Sequence, residues 1–72
     1  MSIFADRLRE CRKNISKTQR EVAYDLGITM VGYQNYELSK NEPTLGMLNK
    51  LADYFSVSID YLAGRSGDPK RQ

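Results

Sequence analysis

Apolar residues recur along this chain at helical rather than strand spacing, in five short stretches parted by cap and turn residues. Phe4, Leu8, Cys11 and Ile15 fall on one face of a helix running from about Ser2 to Lys13, with charged residues on the remaining positions. Thr18-Gln19-Arg20-Glu21 is a capping box that opens a second helix, carrying Val22, Ala23 and Leu26 and stopping at Gly27. Thr29 caps a third, which continues to about Leu38. The polar stretch Ser39-Lys40-Asn41-Glu42-Pro43 reads as a loop. Thr44 then caps a fourth helix with the stripe Leu45, Leu48, Leu51, Ala52 and Phe55. Ser58 caps a fifth of one or two turns, with Gly64 just past its end. The predicted fold is all-α, one domain over residues 1–64, followed by a mobile polar tail over residues 65–72 without an apolar side chain.

The second and third helices are separated only by Gly27 and Ile28 before the Thr29 cap. So short a link forbids an antiparallel pair and imposes the steep crossing of a helix-turn-helix. Ala23 is small where the partner helix passes, and Gly27 suits the left-handed backbone of the turn. Val22, Leu26, Ile28, Tyr33 and Tyr36 are the residues this crossing turns inward.

Composition narrows the chemistry. At 72 residues and 40% apolar, the chain has enough material for one small core. No apolar run reaches the ~18 residues of a membrane span, and the N-terminus lacks the order of a signal peptide, so a cytosolic product is expected. Cys11 is the lone cysteine and there is no histidine, which argues against a disulfide framework, a zinc site and an enzyme. No metal, cofactor or small-molecule substrate is implied. Cys11, on the apolar face, is expected to be a buried, unreactive thiol. Net charge is only +2, but residues 1–20 hold six basic groups, Arg7, Arg9, Arg12, Lys13, Lys17 and Arg20, against Asp6 and Glu10. The tail adds Arg65, Lys70 and Arg71. That asymmetry is compatible with a polyanion partner and equally with ordinary solvated charge.

Leu8-Arg9-Glu10 with Arg12, Thr18 to Ala23, Leu26-Gly27-Ile28-Thr29, Tyr36-Glu37, Lys40, Glu42-Pro43-Thr44 and Ser58 to Gly64 resemble the Cro and phage-repressor (XRE) type of helix-turn-helix regulator. The resemblance spans about residues 4–64 and implies a lambda-repressor-like fold of five helices. It also implies double-stranded DNA as partner, a homodimer on a palindromic operator, and a cytoplasmic, nucleoid-associated regulator of bacterial or phage origin. It further implies that Arg12 and Glu37 form an ion pair bridging the first helix to the end of the reading helix. Gln19 and Lys40 match positions of phosphate contact; Arg20 joins them by position and charge, and Asn41 as a loop donor. Three places depart from the family pattern. Ser16-Lys17 replaces a glycine and an apolar residue, with Ile15 expected to fill the apolar slot. Ser39 stands where a glycine is common, and Tyr33 where a branched aliphatic is usual.

On a helical projection of the third segment, Tyr33, Tyr36 and Glu37 share one side, while Met30, Val31, Gln34, Asn35 and Leu38 lie away from it. The outer side bears no formal charge, so it suits the reading of base edges while backbone attraction comes from elsewhere. The amides of Gln34 and Asn35 match the N6/N7 edge of adenine, and Thr29, Met30 and Val31 offer methyl groups to thymine. Gly32 is expected either to let the helix approach the duplex closely or to be tolerated drift. The competing reading is a protein-interaction module, an antitoxin or adaptor whose third helix meets protein through Met30, Val31 and Leu38. Tyr54, Ile59, Tyr61 and Leu62 are open to roles in the core or in self-association.

Overall fold

The computed structural model describes residues 2–70; Met1, Arg71 and Gln72, the last two in the predicted tail, lie outside the described residues. The element order is α1 (Ile3–Asn14), α2 (Gln19–Leu26), α3 (Met30–Glu37), α4 (Leu45–Phe55) and α5 (Ile59–Leu62). Five N-caps explain where these helices begin. Ser2, Thr18, Thr29, Thr44 and Ser58 each turn a side-chain oxygen onto the amide three residues on, satisfying a group that the helix itself leaves unpaired. At Thr18 the capping box is complete, because Glu21 accepts from the Thr18 amide in return.

The ends of the helices are less obvious. α2 stops at Gly27 with φ 72°, and Ile28 donates back to the Ala23 carbonyl. The same closing arrangement follows α1, α3 and α4, but with serine in the left-handed position: Ser16, Ser39 and Ser56, at φ 56°, 61° and 56°. In each case the next amide reaches back into the last helical turn, from Lys17 to Arg12, Lys40 to Asn35 and Val57 to Ala52.

Every helix sends at least one fully enclosed large side chain inward: Leu8, Val22, Tyr33, Leu51 and Leu62, all at 0% exposure. Each such burial removes enough apolar surface from water to be worth about 1.5–3 kcal/mol. Phe55, Leu26, Ala23, Ala52 and the buried thiol of Cys11 complete the cluster, and Ile28, Tyr36, Tyr54, Ile59 and Tyr61 pack on its margin. Two expected core residues stand outside it. Ile15 is exposed because it follows the last turn of α1, where the chain swings away, so it does not fill the apolar slot ahead of α2. Leu45 is exposed because it is the first helical residue of α4, ahead of the turn where the apolar stripe meets the core.

Residues 65–70 run back along the fold. Arg7 Nη1 donates to the Ser66 carbonyl at 2.6 Å and also to the Tyr61 carbonyl, its guanidinium 4.2 Å from the centre of the Tyr61 ring. The Ser58 amide donates to the Pro69 carbonyl at 3.0 Å. No helix among the described residues is long and apolar enough to cross a membrane.

Candidate nucleic-acid interface

α2 and α3 meet with Gly27, Ile28 and the cap Thr29 between them, and α3 rests against both α2 and α1. The turn depends on backbone conformation rather than space, since a Cβ at Gly27 would meet nothing within 4 Å. Beneath the crossing lie Val22, Ala23, Leu26 and Tyr33, which hold the inner face of α3 and leave its other side outward.

On that outer side Val31 is 60% and Leu38 52% exposed, and the Thr29 cap is exposed as well. Gln34 and Asn35 are half-buried. Met30 is also half-buried and packs partly against the core, so less of its thioether surface faces out than the helical projection suggested. Gly32 has a structural reason: a Cβ there would come within 2.9 Å of Thr29 Oγ1, the oxygen that accepts the Gly32 amide and caps the helix.

The inner end of α3 is held by charge. Glu37 is 1% exposed, and its carboxylate accepts from Arg12 Nε at 2.7 Å and Arg12 Nη2 at 3.1 Å, a two-pronged contact. Arg12 also donates from Nη1 to the Lys17 carbonyl, tying the link before α2 into the same group. Arg9, one turn earlier on α1, donates to the Glu37 main-chain carbonyl at 3.0 Å. Sequence reading missed Arg9, although its place three residues before Arg12 puts both on one face of α1. Burial pushes the Glu37 carboxyl up; the hydrogen bonds from Arg12 and Gln19 and the nearby Tyr33 hydroxyl outweigh it and hold the group below its ordinary value. The same hydrogen bond raises Arg12. The Tyr33 hydroxyl is buried beside this pair with no hydrogen bond of good geometry among the described residues, and burial drives its phenol upward.

Gln19 occupies an unexpected place. Its Nε2 donates to Glu37 Oε1 at 3.0 Å and its Oε1 accepts from Gln34 Nε2 at 3.1 Å, so the first side chain of α2 links the buried carboxylate to the outer face of α3. Arg20, Lys40 and Asn41 are exposed, and neither Arg20 nor Lys40 forms an ion pair among the described residues. The amides of Lys40 and Asn41 both point to the Asn35 carbonyl at 2.9 and 3.4 Å, which anchors that loop to the end of α3. Lys17, just ahead of the α2 cap, is paired with Asp25 at 2.7 Å, and Asp25 also accepts from the Tyr54 hydroxyl.

This architecture, two short helices joined by a three-residue turn and a largely enclosed ion pair anchoring the second of them, defines a helix-turn-helix domain. The helix-turn-helix family model matches residues 8–62, and the chain belongs to that family, in its XRE-type branch. Among similar proteins is the cryptic phage CTXphi transcriptional repressor RstR of Vibrio cholerae, 40% identical over 93% of this chain and 60% of that protein. The SPbeta prophage-derived HTH-type transcriptional regulator YonR of Bacillus subtilis is 43% identical over 83% of this chain and 56% of its own length. The HTH-type transcriptional regulator ImmR, also of Bacillus subtilis, is 37% identical over 90% and 51%. The chain thus spans between about half and 60% of the length of these relatives.

Proposed function

We propose that this chain is the DNA-binding part of a transcriptional regulator of phage or prophage type, which reads the major groove with α3 and binds a palindromic operator as a dimer. The observation that carries the reading is the outer side of α3: uncharged, exposed at Thr29 and Val31, and carrying two amide side chains at Gln34 and Asn35. With its side chains an α-helix is about 10–12 Å across, which the major groove, about 12 Å wide, admits. Thr29, Met30, Val31, Gln34 and Asn35 are assigned to base edges. The exposed Arg20, Lys40 and Asn41, with the N-terminal amides of α2 beside Gln19, are assigned to phosphates. One such domain covers a single half-site, and two copies would address half-sites one helical turn apart, about 34 Å.

A gel shift on random and selected duplexes over a salt series tests this. About two to four phosphate contacts per subunit should make affinity fall steeply with salt in a dimer. Binding that is flat with salt, or absent from random duplex even at low salt, would favour a protein partner for the apolar patch of Val31 and Leu38 instead.

A further inference from the structure

Gln34 ends a chain of hydrogen bonds whose direction has one solution. Glu37 is ionised against Arg12, and an ionised carboxylate only accepts. The Gln19 amide therefore has to turn its Nε2 toward Glu37, at 3.0 Å. Its oxygen is then the end that meets Gln34, and Gln34 has to answer with its own Nε2, at 3.1 Å. Flipping either amide would set donor against donor or acceptor against acceptor, so side-chain chemistry fixes both orientations. Gln34 is left with Oε1 in contact with solvent and without a partner among the described residues.

We infer that Glu37, acting through Gln19, locks Gln34 as a reader with its acceptor outward, selecting a base that carries an exocyclic amino group in the major groove. That means adenine N6 or cytosine N4 on the strand it meets, in preference to guanine or thymine, which present O6 or O4 there. The second Nε2 hydrogen of Gln34 favours adenine of the two, because N7 lies beside N6. Gln19 and Glu37 are positioning residues in this scheme. It deepens the DNA-reading conclusion and rests on it. An unlocked glutamine turns either end to the groove and discriminates little between these two pairs of bases. The lock supplies specificity without an added contact, since the orientation is fixed before the duplex arrives.

The test is random-duplex selection and sequencing on the wild-type chain, Gln34→Met and Gln19→Met, with helix content checked by circular dichroism. The wild type should prefer adenine or cytosine at one half-site position by about five- to a hundredfold. Gln34→Met should flatten that position and no other. Gln19→Met should flatten the same position while leaving the rest of the site unchanged, alongside a uniform loss of affinity wherever a phosphate contact goes. A preference for guanine or thymine at the Gln34 position, no position responding to Gln34→Met, or a preference surviving Gln19→Met would each overturn the lock while DNA reading stands. A wild-type chain that binds no duplex would overturn the reading beneath it as well.

Discussion

Arg12 and Glu37, on α1 and at the end of α3, meet through two parallel hydrogen bonds of 2.7 and 3.1 Å with the carboxylate almost wholly enclosed. The contact sets the angle of α3 against its support more rigidly than apolar packing alone, because a planar guanidinium and a planar carboxylate match in only a narrow range of orientations. Arg12→Met strips both guanidinium bonds from a buried carboxylate, leaving it only Gln19 at 3.0 Å and the Arg9 guanidinium at 4.0 Å, and should cost roughly 3 kcal/mol, well beyond a surface pair. In urea unfolding of the two single variants and Arg12→Met/Glu37→Gln, the double variant should lose less than the singles together. Simple additivity would show that the two side chains do not act as a unit.

Acid should act through the same residue. Glu37 sits below its ordinary value in the fold, so its contribution is present above the unfolded carboxylate range, about 4.3, and disappears as pH falls through the lower folded value. Unfolding measured between pH 7 and 3 should show the wild type losing more stability toward acid than Glu37→Gln does. Parallel curves for the two chains would mean that Glu37 does not report on folding.

The serines that end α1 and α4 carry a backbone strain that glycine would relieve. Ser16 and Ser56 are both in the left-handed region, where an L side chain costs about 1–2 kcal/mol, partly offset by the freer unfolded chain of glycine. Ser16→Gly and Ser56→Gly should each raise stability by about 0.5–1 kcal/mol. Ser39→Gly should gain less, since Ser39 Oγ also accepts from the Ser2 amide at 3.2 Å. Thermal melts of the three variants decide this, and a loss at Ser56 would contradict it.

Gly32 and Thr29 form a compensating pair. Gly32→Ala adds about 1 kcal/mol of helix preference but crowds the Thr29 hydroxyl that caps α3, a cap worth a similar amount. Alone it should be near neutral; in a Thr29→Ala background it should stabilise by about 1 kcal/mol. Equal effects in both backgrounds would show that the crowding is not felt.

The helix order, four of the five N-caps and the Gly27 turn were legible because they are local: a hydroxyl and an amide three residues apart, or a glycine where the dihedral demands one. The fifth cap, Ser2, reads from the sequence as the first residue of its helix. The serine-ended helices were legible only by comparison: Ser16 and Ser39 stand where the family pattern has glycine, which marks a left-handed position, whereas Ser56 carries no such sign. The tail was read from its lack of apolar residues, which says nothing of backbone partners such as the Pro69 carbonyl on the Ser58 amide. Within the candidate site, the Arg12–Glu37 contact followed from resemblance, whereas the roles of Arg9 and Gln19 depend on distances across helices that periodicity does not supply. Met30 illustrates the same limit: a helical projection separates two sides but does not say how far the core reaches around.

Contact between the outer side of α3 and base edges is tested most directly by Asn35→Ala, comparing affinity for the selected operator with affinity for random duplex at one salt concentration. Loss of about 1–3 kcal/mol on the operator, with random-duplex binding unchanged, is the expected result. Equal losses on both, or none on either, would remove this face of α3 from sequence recognition.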